Sequence, residues 1–252
     1  MSRITIRGCR IGEGRPKVII PIVERTEAAI LETAVQFSTL RADCVEWRVD
    51  LFEGAKDLAA VARCAAKLRI ALKDKLLLVT FRTKAEGGKV ALAHEEYLHF
   101  IRTVLATDCA DLIDIEFFTA GADLPELVAD AHTAGAAVVC SSHDFHKTPP
   151  RTELVSRMMQ MQRAGADLPK LAVMPCSPSD VLELLAATAE MTERHPETPV
   201  ITMSMGALGA VSRLCGEAFG SAMTFANPGQ ASAPGQVALD VVNEVLESLR
   251  LA

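Results

Sequence analysis

Short β-branched runs alternate with longer, alanine-rich amphipathic stretches from one end of this chain to the other, and eight such pairs can be counted. The strand-like runs lie near 18–23, 44–49, 76–82, 112–117, 136–141, 170–174, 200–203 and 222–225. The helical stretches follow near 26–39, 58–72, 94–107, 124–134, 152–164, 179–194, 209–219 and 236–249. Eight βα units in 252 residues predict an α/β fold of the (β/α)8 TIM barrel type, with 1–252 forming a single domain. A doubly wound open sheet competes, but it usually has fewer strands and a glycine-rich first turn; here that turn reads Val23-Glu24-Arg25-Thr26. Ahead of the first unit, Ile4-Thr5-Ile6 and Gly12-Glu13-Gly14 predict a short hairpin closing the amino-terminal mouth of the barrel.

Composition removes several classes of partner. The net charge of -6, with no basic cluster on any element, argues against nucleic acid. No run approaches the ~18 apolar residues that span a bilayer, and Met1 to Arg10 lacks the apolar core of a leader peptide, so a cytoplasmic protein without membrane contact is expected. The seven cysteines are scattered singly with no Cys-x-x-Cys pair, and read as reduced, mostly buried small hydrophobes.

Lys170 interrupts an otherwise apolar run, Pro169-Lys170-Leu171-Ala172-Val173-Met174-Pro175. A lysine held in a low-dielectric pocket loses solvation, its pKa falls, and the neutral amine can attack a carbonyl to form an imine. The plainer alternative is a strand-end lysine whose methylenes cover apolar surface while the ammonium reaches water.

Barrel strands are buried on both faces and should be apolar throughout. In Val45-Glu46-Trp47-Arg48-Val49 the period of two puts the valines and Trp47 toward the helices and turns Glu46 and Arg48 inward. Thr80 and Arg82, then Asp114 and Glu116, follow the same parity on the next two strands. Charges inside a barrel mark a buried ion network or a polar ligand site, and sites in this fold lie at the carboxyl ends of strands, where these residues cluster. Just past the fifth strand, His143 in Ser141-Ser142-His143-Asp144-Phe145 is placed like a rim base, or else is a loop histidine. A metal site from His143, Asp144 and His146 is disfavoured, because three neighbouring loop residues make a poor tetrahedral cage.

Three loops add candidates. Arg82-Thr83-Lys84-Ala85-Glu86-Gly87-Gly88 offers Glu86, either an orienter of a histidine or a solvated carboxylate. The stretch from Thr202 to Arg213 carries glycines and then an arginine near a helix start, either an anion cradle or an ordinary tight turn. The stretch from Ala226 to Gln236, with two Pro-Gly steps, suits a mobile lid, and suits equally a connection with Ser232 near a helix N-cap and Pro234 in the first turn.

Taken in order, Glu46-Trp47-Arg48-Val49-Asp50, Thr80-Phe81-Arg82, Ser142-His143-Asp144-Phe145, Pro169-Lys170, Ser204-Met205-Gly206 through Ser212-Arg213, and Ser232-Ala233-Pro234-Gly235-Gln236 closely resemble the type I 3-dehydroquinate dehydratases over essentially the whole chain. The resemblance implies a lyase of the shikimate pathway, converting 3-dehydroquinate to 3-dehydroshikimate through a lysine Schiff base with no metal or organic cofactor, and often a homodimer. It assigns the imine to Lys170, the base to His143 and the histidine-orienting carboxylate to Glu86. Substrate contacts fall on Glu46, Arg48, Arg82, Arg213, Ser232 and Gln236. Some members carry a hydroxyl residue at the end of the first strand; this chain has Pro21, which has no donor to offer. Among rivals, a class I aldolase for a phosphorylated sugar shares the lysine chemistry but not the histidine ahead of it, and a silent anion-binding barrel needs no lysine nucleophile.

Overall fold

The structure, a computed structural model, describes residues 3–229 and 233–251. An antiparallel hairpin of β1 (Ile4–Ile6) and β2 (Cys9–Ile11) precedes eight parallel strands. These are β3 (Lys17–Ile22), β4 (Cys44–Arg48), β5 (Leu76–Thr80), β6 (Leu112–Glu116), β7 (Ala137–Asp144), β8 (Leu168–Val173), β9 (Ile201–Ser204) and β10 (Met223–Asn227). From β3 to β9 each pairs with the next in the chain, β10 pairs back onto β3, and a bridge between Val200 and Ser221 joins the β9 and β10 sides, so the sheet closes into a barrel. A two-residue strand, β11 (Val237–Ala238), extends the sheet beside the end of β10.

Helices α1 (Glu27–Phe37), α2 (Leu58–Ala71), α3 (His94–Leu105), α4 (Phe117–Ala120), α5 (Leu124–Thr133), α6 (Arg151–Arg163), α7 (Pro178–Arg194), α8 (Gly216–Phe219) and α9 (Leu239–Ser248) fill the connections. Local chemistry sets several starts. Thr26 caps α1 and Asp57 caps α2 through side-chain oxygens that accept orphan backbone N–H groups, and Ser177 with Asp180 forms a capping box ahead of Pro178 in α7.

The period-two reading separates two cores. Val45, Trp47, Val49, Val79 and Ile113 pack outward against the helices. Ile19, Cys44, Leu76, Leu78, Leu112, Val139 and Leu168 pack inward at the amino end, where Ile11 of the hairpin joins them with Ile4, Ile6 and Cys9 alongside. The predicted stopper is therefore present, and each such large side chain contributes ~1.5–3 kcal/mol by leaving water. All seven cysteines are unpaired thiols, and no described helix is long and apolar enough to cross a membrane.

Three expectations need correction. The fifth strand does not stop at Ser141; it pairs through Asp144, which stands opposite Val173, so His143 belongs to the sheet itself. The stretch 209–219 is not one helix but a 3-10 turn at Ala210–Arg213 followed by α8. The Thr224 hydroxyl takes the Arg213 carbonyl at 2.9 Å, an acceptor a continuing helix would need, while the Ser212 hydroxyl ties the turn to Gly209 at 2.7 Å and to Ser204 at 2.9 Å. The last helix begins at Leu239 instead of near 236, because Val237 and Ala238 pair with Ala226 and Asn227. Pro234 is thus outside any helix, and Ser232 lies outside the described residues.

Candidate active site

Strand parity and register assemble the polar side chains. Glu46 and Arg48 on β4, Thr80 on β5, Asp114 and Glu116 on β6, Ser141 and His143 on β7 and Lys170 on β8 all fall on the inward positions of their strands. Arg48, Thr80 and Asp114 stand side by side across three strands, and one layer higher so do Glu116, Ser141 and Lys170. Above the apolar plug this leaves a cavity of about 180 Å³ at the carboxyl end, with room for one small ring-sized metabolite. Of the residues singled out from the sequence, Glu46, Arg48, Arg82, Glu86, His143, Lys170, Arg213 and Gln236 line it; Ser232 is outside the described residues. Four cationic side chains against two carboxylates on its wall favour an anionic guest.

Lys170 is 3 % exposed, so its ammonium does not reach bulk water. Nζ donates to Asp114 Oδ2 at 3.1 Å and lies 4.7 Å from the centre of the Phe225 ring. Burial pushes the Asp114 carboxyl up, but Arg82, Lys170 and the Ser141 hydroxyl outweigh it and hold the group below the usual carboxylate range.

Glu86 closes a short 3-10 turn at Lys84–Glu86, and the loop doubles back so tightly that a Cβ on Gly88 would stand 1.8 Å from the Arg82 carbonyl oxygen. Only glycine fits there. The turn aims Glu86 Oε2 at His143, accepting from its backbone N–H at 3.1 Å and facing Nδ1 at 2.8 Å. Burial pushes the Glu86 carboxyl up to about 8, Arg82 opposing and Glu116 and Asp114 reinforcing the rise. Burial, with the positive charges of Arg82, Lys170 and Arg48, pushes the His143 imidazolium well down. Both directions describe one pair that resists separated charge and shares a proton. When the carboxylate is ionised, Nδ1 carries the hydrogen toward it and Nε2 is left with a lone pair, the form a base requires.

The arginines differ. Arg82 reaches Asp114 through Nη2 at 2.8 Å, and Glu116 and Ser141 through Nη1 at 2.8 and 3.0 Å. Arg48 is held in a fork by Asp50, at 2.7 and 2.8 Å, and Asp50 also accepts from the backbone of Arg82 and Lys89. Arg213, 1 % exposed, meets no carboxylate among the described residues: its contacts are the Met203 sulfur at 3.5 Å and the Pro234 carbonyl at 3.2 Å, and Nε has no partner. Burial alone lowers its pKa to about 10. A buried cation this poorly matched is suited to pairing with an anionic group. Pro234 reaches it because the 233–236 segment folds onto the β9 loop, where a Cβ on Gly235 would stand 2.1 Å from the Gly206 carbonyl oxygen.

Sequence reasoning placed Asp114 inward but gave it no part in the site, and passed over Phe145, Met203, Met205 and Phe225, the apolar part of the wall. Asp114 had a signal, since it shares its inward parity with Glu46 and Lys170. Phe145 and Met205 stand in stretches that carry the family resemblance but drew no role from it, and Met203 and Phe225 had no signal, being ordinary strand residues in the sequence. Pro21 stands opposite Glu46 within β3 and is buried.

Comparison with known proteins bears on the family and the fold. A family model described as type I 3-dehydroquinase matches residues 18–251. The 3-dehydroquinate dehydratase of Bacillus subtilis is 47 % identical over 249 residues, spanning 99 % of this chain and 98 % of the relative. That of Klebsiella pneumoniae is 47 % identical over 248 residues, spanning 98 % and 99 %. Among solved structures, the type I 3-dehydroquinate dehydratase from Clostridium difficile with covalently modified comenic acid superposes with a TM-score of 0.95 at 42 % identity, covering 99 % of this chain and 98 % of that one.

Proposed function

The chain belongs to the type I 3-dehydroquinase family, and on that premise we propose that it is a lyase dehydrating 3-dehydroquinate to 3-dehydroshikimate through an imine on Lys170. The observation that carries this reading is the placement of a buried lysine, a carboxylate-oriented histidine and an arginine that meets no carboxylate among the described residues on the wall of one cavity. Lys170 attacks the C3 ketone. The protonated imine then accepts the electron pair left when His143 Nε2 removes a proton from C2, and the same histidine returns that proton to the departing C1 hydroxyl. Glu86 holds Nδ1 and stabilises the transient imidazolium. Arg213 takes the substrate carboxylate in a charge-assisted pair, while Glu46, Arg48 and Arg82 meet the ring hydroxyls and one another, and the family resemblance adds Ser232 and Gln236 as substrate contacts.

The imine serves as the electron sink, so the reaction as written calls on no metal or organic cofactor. Residues 1–252 act as one catalytic domain, working in the cytoplasm as a homodimer, the state the family resemblance implies. Sedimentation at micromolar concentration tests the dimer.

Borohydride trapping tests the chemistry. Incubation with 3-dehydroquinate followed by reduction should inactivate the protein and add the mass of the reduced adduct to the peptide carrying Lys170, and Lys170→Arg should abolish the label because guanidinium cannot become the amine nucleophile. Turnover with no trappable adduct, or a label on another lysine, overturns the proposal.

A further inference from the structure

Asp114 has no part in the chemistry above, yet its carboxylate is the closest group to the reacting nitrogen. It lies on β6, two strands from Lys170, and reaches across β7 at Ser141. It is fully buried and is not among the residues that line the cavity. Its oxygens are saturated with donors: the Ser141 hydroxyl on Oδ1 at 2.6 Å, and Arg82 and Lys170 on Oδ2 at 2.8 and 3.1 Å. Among the described residues no other carboxylate pairs with Lys170. Glu116 is occupied by Arg82 and Thr83, Glu46 by Thr80, and Glu86 by His143.

The proton count of imine formation explains why a fixed anion belongs there. Lys170 begins as an ammonium with three N–H bonds. One proton leaves to free the lone pair, the nitrogen attacks the ketone carbon as the carbonyl π pair moves to oxygen, and a second proton leaves nitrogen. The carbinolamine then expels its oxygen, with both protons, as water, and the nitrogen lone pair becomes the C=N π bond. The product is an iminium with one N–H. Nitrogen therefore carries a full positive charge before and after, and a neighbouring anion that stays ionised is matched to both states.

We propose that Asp114 is the resident counter-ion of the Lys170 imine, remaining a carboxylate through the cycle and accepting the single N–H that the iminium keeps. This rests on the reading of Lys170 as the imine-forming residue. Two consequences follow from the geometry. The imine stays protonated, and so remains an electron sink, at pH values where a neutral surrounding would let the proton go. Its remaining N–H, held toward β6, also fixes the plane of the C=N bond relative to His143 on the strand between. Arg82 and Ser141 keep Asp114 ionised when the lysine charge is redistributed. The other ionisable groups around the pair include Glu46 and Arg48 from β4, Glu86 from the loop after β5, Tyr97 from α3, Glu116 from β6, and Cys140 and His143 from β7, while β9 and β10 contribute the uncharged Met203 and Phe225.

The test is cyanoborohydride trapping, which reduces the iminium and spares the neutral imine, across a pH series in the wild-type protein and in Asp114→Asn. In the wild type the Lys170 adduct should form well into alkaline pH. In Asp114→Asn the alkaline limit of trapping should fall by about 1–3 pH units, the usual influence of an opposite charge at this range. An unchanged limit in a folded variant overturns the counter-ion role and leaves the imine reading standing. Failure of the wild type to trap overturns both. Should Asp114→Asn not fold, a crystal structure of the reduced wild-type adduct decides: Nζ within hydrogen-bond reach of Asp114 Oδ2 upholds the proposal, and Nζ turned away from it overturns it.

Discussion

The two walls of the cavity handle charge in opposite ways. On the β4 to β8 wall the cations are matched: Arg82 holds Asp114 and Glu116, Arg48 holds Asp50, and Lys170 holds Asp114. On the β9 to β10 wall stands Arg213, among Met203, Met205 and Phe225, with no described carboxylate on its guanidinium. Saturated pairs make a rigid, pre-organised frame, because moving one member leaves a buried charge alone. A buried guanidinium with no carboxylate partner is costly, and a guest's carboxylate can relieve that cost. The first wall holds the reacting groups still, and the second selects what they act on.

The largest way to break that contrast is to remove the hub of the saturated wall. Arg82→Met should strand Asp114, Glu116 and Glu86, cost about 3–5 kcal/mol of folding stability and abolish turnover. Denaturant unfolding reads the first effect, and a midpoint equal to wild type would show that the network holds nothing in place. Next comes the chemistry itself. His143→Ala should lower kcat by ~10²–10⁴-fold with little change in stability, followed by the absorbance of the conjugated enone product; turnover near wild type would exclude His143 as the base.

Arg213→Met sharpens the comparison because its two effects point in opposite directions. Substrate binding should weaken by about 1.5–3 kcal/mol, the range for hydrogen bonds to a charged group, and appear in KM more than in kcat. The melting temperature should stay level or rise, since an unmatched buried charge has been replaced by an apolar side chain. A fall in stability comparable to Arg82→Met would mean that the walls do not differ.

The smallest effect is a matter of pH. Below about 8 the Glu86–His143 pair holds an additional proton, and above it the carboxylate is ionised with Nε2 free. kcat/KM should therefore rise with pH and level off near that value. In Glu86→Gln the rise should move to lower pH, because the pair no longer stores the proton on a carboxyl and the His143 imidazolium is itself pushed down by burial and by Arg82, Lys170 and Arg48. A profile identical to wild type would remove Glu86 from the proton inventory.

Much of this was legible in advance, and the reason is parity. A charged residue in an apolar strand must turn inward or outward, and in Val45-Glu46-Trp47-Arg48-Val49 the apolar face of the two valines and Trp47, which must meet the helices, decided which. The same rule placed Asp114 and Glu116, whereas Lys170 stood out as the one cation in an apolar run. What it does not carry is pairing. Arg82 and Arg213 look alike in sequence, yet one is saturated and the other starved, because that depends on which strands stand opposite them. The broken helix after Gly209 was illegible for a related reason: the hydroxyl that takes the Arg213 carbonyl belongs to Thr224, on the following strand. His143 was assigned to a loop because Ser141-Ser142-His143-Asp144 has no strand propensity, and pairing with Leu171, Ala172 and Val173 overrides that.

The hairpin has a consequence for traffic. With Ile11 seated on Ile19, Cys44 and Leu76, the barrel is a flask with a stoppered base, and molecules that arrive through the neck must leave through it. The water released when the imine forms, and the water needed to hydrolyse it, travel the same passage as substrate and product. Arrival, hydrolysis and departure are thus strung along one corridor, past the Pro234 carbonyl that rests on Arg213.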